Sequence, residues 1–529
     1  MGYASQPFGI CFSPDGRSAW VTLGATGEVA KLDAADPAAP ARRFAVGPKP
    51  RGIAVSADSS RVFITRFNSP QTHGEVIELS SRGTLVKRHQ LAIDPGPDKE
   101  DGGRGVPNYL GSPTLAPDGQ RLWIPSKKDN VQRGLARDKQ KPTFESTVRA
   151  IVSQIDVEDG KEVLAARTDL DDRTMPRAIA FSALGDIAFV VSQGSNLVDV
   201  LDAYDNHKIT SILDTGLAPQ GLVLDAKRQR LFVHNFTSRS ISVFDVSTIL
   251  ALSTISASRL GTINTVEREK LSKQVLRGKQ IFYNARDPRM SKDGYISCAV
   301  CHQSGDQDAR VFDFTDRGEG LRNTISLLGR RGAGHGRVHW TGNFDEIHDF
   351  EHDIRGPFGG SGLMADKQFE SGKRNQPLGG EKAGLSKDLD ALAAYVSSLD
   401  RVPNSPYRNA DGSLTAAGTA GRALFAKLKC AECHSGPDYT NSSGGELYDV
   451  GTMLPTSGKR LGGKLLGIDT PTLKGIWDTA PYLHDGSAVT LMDVLVARNV
   501  NGKHGDTASL TDKERAQLVS YLMQIDENE

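Results

Sequence analysis

Across 529 residues no apolar run approaches the ~18–20 needed to cross a bilayer, so a membrane-spanning helix is excluded. The opening Met1-Gly-Tyr-Ala-Ser-Gln-Pro-Phe8 lacks the basic-then-apolar order of a secretory signal. An excess of one charge is missing too. The 64 basic and 64 acidic residues cancel, so no net field draws the chain to nucleic acid or an anionic surface. No Gly-Lys pair continues as Gly-Lys-Ser/Thr, which removes the nucleotide P-loop. With 24% charged and 38% hydrophobic residues, the chain reads as folded and too long for one core, hence two or three domains.

Cysteine is scarce, but its placement is informative. Four of the five fall in Cys298-Ala-Val-Cys301-His302 and Cys430-Ala-Glu-Cys433-His434, and only Cys11 stands apart. Of twelve histidines, eight lie beyond residue 297. Ligand-bearing side chains are therefore concentrated in the second half.

The first half repeats itself. Gln6-Pro7-Phe8-Gly9-Ile10 recurs as Lys49-Pro50-Arg51-Gly52-Ile53, as Met175-Pro176-Arg177-Ala178-Ile179 and as Ala218-Pro219-Gln220-Gly221-Leu222. Pro7 to Pro50 and Pro176 to Pro219 are both 43 residues apart, and a blurred copy runs Leu115 to Gly119, then Leu122 to Ile124. Alternating strands at this period, broken by Asp-Gly turns, indicate β-propeller blades. About five are expected over 1–250, similar in pattern to the YVTN or lactonase-like propellers. Closed propellers usually have more, so earlier blades and a signal peptide are expected ahead of this stretch. Cys11 reads as a core thiol. Asp94 to Asn108 and the basic stretch Lys127 to Pro142 read as insertions, either solvated loops or a docking lip over the second half.

Cys-x-x-Cys-His has a specific chemical use: the thiols bond the vinyl groups of haem and the histidine binds its iron. A zinc site would want a second ligand pair near each motif. Two copies, each after a helix-like segment, point to two covalently bound haem c groups, in domains spanning 251–400 and 401–529.

Between Leu271 and Ile525 the chain resembles the bacterial dihaem cytochrome c peroxidases and their relative MauG. Arg322-Asn323-Thr324, Trp340-Thr341-Gly342, Asp469-Thr-Pro-Thr-Leu473 and Thr479-Ala-Pro-Tyr-Leu-His-Asp-Gly486 carry the likeness. The resemblance implies His302 as proximal ligand of the peroxide-reacting haem and His434 as that of the electron-transferring one. It implies Trp340 as a relay between them, and a calcium ion held by Asn323, Thr479 and Pro481. Hydrogen peroxide and a small redox donor, a c-type cytochrome or cupredoxin, are the implied partners, and the periplasm the implied location.

The pattern also departs from that family. Arg498 stands where a methionine or tyrosine ligates the second haem, and arginine cannot bind iron. His504 is the expected replacement, with Met492 and Met453 behind it. Residues 303–321 contain no distal histidine, and Gly356 to Met364 no carboxylate. His348 and His352, four apart with Glu351 beside them, or His335 and His339, are the candidates for the distal side, with Glu351 or His352 as acid/base. The expectation is a multidomain oxidoreductase: an all-β propeller followed by two α-helical cytochrome c domains. The alternative is an electron-transfer cytochrome using the propeller to dock a protein or small molecule.

Overall fold

The computed structural model describes residues 4–529. Five antiparallel sheets occupy the first half, in chain order. Their inner strands begin at Pro7–Phe12, Pro50–Val55, Thr114–Leu115, Pro176–Phe181 and Pro219–Asp225. Ahead of each stands one residue in the left-handed region, Gln6, Lys49, Tyr109, Met175 and Ala218, with φ between 48° and 58°. This shared kink shows that the third repeat begins at Tyr109-Leu110-Gly111, six residues before the blurred copy visible in the sequence.

Neighbouring blades are tied at the axis by one recurring threonine. Thr22 Oγ1 donates to the Arg51 carbonyl at 2.9 Å and Thr65 Oγ1 to that of Gly111 at 3.0 Å. Between sheets the core is aliphatic and aromatic, as where Ile187, Phe189, Leu231 and Phe244 pack together. The fifth blade ends on strand Ser258–Asn264, beyond the expected boundary at 250. That strand is exposed almost throughout, so it lacks the half-buried alternation that betrays a strand in sequence. At the ends of the row Phe8, Ile10 and Phe12 of the first sheet and Val223, Leu260 and Ile263 of the fifth remain exposed.

The third blade is enlarged. Its middle strands, Arg121–Asp129 and Val148–Asp156, pair over nine residues and project the loop between them toward the second half. The loop reading of Lys127 to Pro142 is thereby corrected to the docking lip: Lys127, Lys128 and Asp129 lie in a buried strand. Lys127 Nζ binds Asp129 at 2.9 Å and Asp308, from the second half, at 2.7 Å. Arg310 Nε reaches Asp129 at 3.2 Å, and all four side chains are fully buried. Burial lowers the affinity of Lys127 for its proton, but the two carboxylates more than offset this and hold it above its ordinary value. Lys49 makes a second tie, to Asp306 at 3.0 Å and Asp478 at 2.5 Å.

The second half holds two helical units built alike. Helix α1 (Lys273–Tyr283) crosses α2 (Lys387–Ser397), and α3 (Ala416–Lys427) crosses α4 (Asp512–Leu522). Each crossing is close because a glycine sits in it: a Cβ at Gly278 would overlap the Ala391 carbonyl, and one at Gly421 that of Gln517. Ser272, Ser386, Thr415 and Thr511 cap the four helices. Among the described residues no helix is long and apolar enough to cross a membrane.

Candidate functional site: two cavities joined by a tryptophan

Helix α1 leads through a short loop into the helical turn Cys298–Cys301, which opens on a cavity of about 270 Å³. Its wall is largely apolar, with Phe282, Phe312, Ile354 and Leu392 among the lining residues. The enlarged third blade supplies part of it, through Asn130, Arg133, Pro142 and Val148. The sequence offered Lys127 to Pro142 as a docking lip, but which of its residues wall the cavity is fixed only by the docking of the two halves. Burial pushes the Cys298 thiol up to about 12 and the His302 imidazole down to about 4. Near neutrality His302 is thus an uncharged ring with a lone pair to offer, and it lines the cavity.

A second cavity, of about 480 Å³, opens beside Cys430, Cys433 and His434. His434 Nδ1 faces the carbonyls of Tyr439 at 3.3 Å and Pro471 at 3.2 Å. Carbonyls only accept, so Nδ1 carries the proton and Nε2 is left free as a ligand atom. Burial, and to a lesser degree the nearby His504, hold this imidazole down at about 4. The rings of His434 and His504 lie 6.3 Å apart, centroid to centroid, inclined by 38°. Both rings line the same cavity, so a group bound there could meet a nitrogen from each. Met492 and Met453 do not line this cavity, and Arg498 turns away to donate to the Ser487 carbonyl at 2.9 Å. His484 lines the cavity, but its Nε2 is engaged by Ser457 Oγ at 2.9 Å.

Trp340 lines both cavities, as do Asn323, Thr324, Ile325 and Arg330. Its indole Nε1 donates to the Asn323 carbonyl at 2.8 Å, which fixes the ring in the partition. Arg330 is buried beside it with no carboxylate within ion-pair distance, and burial lowers its guanidinium to about 10. A buried cation shared by two empty-walled pockets suits an anionic cofactor edge.

The expected distal acid/base pair does not reach the first cavity. Glu351 accepts from Leu363 N at 2.9 Å, Met364 N at 3.0 Å and Arg355 Nε at 2.8 Å, so its carboxylate ties a loop to its own helix. His352 packs its ring against Phe344 and Phe369. His348 lies between Glu346 and Asp390 at 3.2 and 3.0 Å. His335 Nδ1 donates to the Arg330 carbonyl at 3.0 Å, and the ring does not line the opening. Of these four residues and His339, only His339 lines the first cavity. Asp353, one residue past His352, also lines it, and its one hydrogen bond is a long 3.4 Å contact from Arg317. The sequence signal was the acidic helix itself; which of its faces looked inward was not legible.

Of the three calcium ligands implied by resemblance, Asn323 and Pro481 lie in contact. Asn323 Nδ2 lies 2.5 Å from the Pro481 carbonyl and 3.4 Å from that of Leu483, while its Oδ1 is buried without a donor. Turning that amide over would gather three oxygens in place of one stranded acceptor. Thr479 lines the same wall.

The RoxA-like, cytochrome c-like family matches residues 467–500, which hold the Asp469 and His484 motifs. Hydrazine synthase subunit gamma of Kuenenia stuttgartiensis is 31% identical over 297 residues, covering 49% of this chain and 79% of that protein. Cytochrome c551 peroxidase of Nitrosomonas europaea is 26% identical over 274 residues, covering 46% and 77%. Methylamine utilization protein MauG of Methylophilus methylotrophus is 24% identical over 290 residues, covering 47% and 81%. With two Cys-x-x-Cys-His turns on two cavities and these relatives over the same half, the chain belongs to the dihaem cytochrome c peroxidase and MauG family, here following a five-bladed β-propeller.

Proposed function

We propose that this chain is a periplasmic c-type oxidoreductase that binds two haems, takes electrons from a small redox protein and reduces hydrogen peroxide, or uses it to oxidise a partner. The observation that carries this is the single tryptophan walling both cavities, each of which opens on a Cys-x-x-Cys-His turn. Haem c held there would supply the one-electron chemistry that no side chain can.

The residues divide the remaining work. Cys298 and Cys301, and Cys430 and Cys433, provide the attachment points; His302 and His434 provide proximal ligands. His504, which lines the same cavity with its ring 6.3 Å from that of His434, would be a second ligand to that centre. That leaves the second centre to electron transfer, with Trp340 as the relay. Asp353, with Asp316 beside it on the same wall, takes the proton-handling role first sought in Glu351 or His352: both line the cavity, Asp353 makes one long contact from Arg317, and Asp316 Oδ1 is buried without a partner. Arg133 and Pro142 of the propeller lip restrict entry to small molecules. Asn323, Thr479 and Pro481 hold calcium between the units. The test is low-temperature electron paramagnetic resonance of the oxidised and half-reduced holoprotein. A high-spin ferric signal in either state supports the peroxide reading. Two low-spin signals unchanged by half reduction would show both centres closed, leaving electron transfer alone.

A further inference from the structure

Two residues after the left-handed kink of each blade comes a position that follows a proline in four blades and Leu110 in the third; in chain order it is Phe8, Arg51, Gly111, Arg177 and Gln220. Two of the five are arginines, and they flank the one glycine. Neither guanidinium has an acceptor. Arg51 Nε and Arg177 Nε and Nη1 are buried with no hydrogen-bond partner, and no carboxylate lies within ion-pair distance of either. Arg177 is 7% exposed. Arg51 is sandwiched between the rings of Phe8 at 3.8 Å and Phe67 at 3.7 Å, and Arg177 lies 5.3 Å from the same Phe67 ring. The nearest acid in charge terms, Asp306, is committed to Lys49 at 3.0 Å.

Two like charges side by side, Arg177 buried and Arg51 half-buried, are costly, and a guanidinium cannot discharge itself by losing a proton in the physiological range. Aromatic faces return part of the cost to Arg51 but leave its Nε, and Nε and Nη1 of Arg177, unsatisfied. Gly111 lets the third and fourth blades approach closely, since a Cβ there would overlap the Arg177 carbonyl, and it places no side chain of its own between the two arginines. Phe8, 56% exposed, forms the outer lip of this space, so it communicates with solvent. On the inner side it abuts the segment that follows His302, where Gln303 Nε2 donates to Gln193 Oε1 at 3.2 Å and Gln193 Nε2 to Gln220 Oε1 at 3.4 Å. Among the described residues no carboxylate, backbone carbonyl or hydroxyl accepts from Arg51 Nε or from Arg177 Nε and Nη1.

We infer that the propeller axis is a binding site for one small oxyanion, a carboxylate or an inorganic tetrahedral oxyanion, held between Arg51 and Arg177. Guanidinium forks match both shapes through paired N–H donors. The site is separate from the two cavities, whose linings include neither arginine, and does not depend on the activity proposed above.

Titration calorimetry of the holoprotein in a zwitterionic buffer tests this, with inorganic phosphate and acetate as probes at constant ionic strength set by chloride. One saturable site per chain is expected for at least one probe, weakened by about tenfold or more in Arg51→Gln and Arg177→Gln, the loss of a charge-assisted bond. Phosphate alone would assign a tetrahedral oxyanion, acetate alone a carboxylate, and both a site that reads charge only. In anion-free buffer Arg177→Gln should melt no lower than the wild type, since it removes an uncompensated charge, and the order should reverse in the binding anion. Gln220→Glu, which places a carboxylate on the same axis and leaves the arginines intact, should abolish binding. Absence of saturable binding by either probe, or binding unchanged in Gln220→Glu, would overturn the inference.

Discussion

Lys127→Met tests the tie between the two halves. Lys127, Arg310, Asp129 and Asp308 form a fully buried group of two cations and two anions. Removing the ammonium leaves two carboxylates facing one guanidinium in a dry interior. Asp308 keeps only the Arg310 backbone N–H at 3.1 Å. Breaking a buried pair from one side typically costs about 3–5 kcal/mol, or a fall of roughly two to four powers of ten in the folded-to-unfolded ratio. Asp308→Asn should cost a similar amount. The double variant restores neutrality and should fall short of the sum of the singles by about 2 kcal/mol or more. The assay is urea unfolding followed by circular dichroism of the helices and by fluorescence of Trp20 and Trp123 in the propeller. In the wild type the two signals should move together; in Lys127→Met they should separate, the helical half melting first. A single-variant cost below about 1 kcal/mol, or strict additivity in the double variant, would refute the account of the interface as a coupled charge group.

Three further outcomes are expected. His504→Ala should convert one low-spin ferric signal to high-spin while leaving both haems attached; an unchanged spectrum would remove His504 as a ligand. Gly278→Ala and Gly421→Ala should each lower stability by about 1–3 kcal/mol, because the added methyl forces apart a helix crossing that has no room, and thermal melts showing neither effect would contradict the close approach. Burial, only partly offset by Ser442 and by Arg330, raises the Asp469 carboxyl to about 6. The folded state therefore holds this proton more tightly than the unfolded chain does. Its contribution is fully present below the unfolded value near ~4 and lost as pH rises through about 6, at most about 3 kcal/mol. Asp469→Asn should flatten stability between pH 4 and 7; the same slope in the variant would count against it.

Local chemistry and repetition were legible in the residues themselves. Cys298-x-x-Cys301-His302 and its partner specify covalent haem attachment because bonding partners three and four positions apart need no tertiary fold to be recognised. The 43-residue spacing specifies blades because each blade repeats the same local solution of strand, turn and strand. His504 was reachable by elimination within a short loop. What the tertiary structure alone decided were the pairings of distant residues. Helix phase near the first cavity turns on one residue: Asp353 faces inward, while Glu351 and His352, with the same chemistry, are spent on a loop and an aromatic cluster. The exposed strand Ser258–Asn264 carried no periodic signal to read. The lip of the third blade, the Lys127 charge group and the two arginines at the axis come from side chains far apart in sequence. Their roles arise from burial and from the charges that burial brings together or leaves alone, and neither quantity exists until the halves have docked.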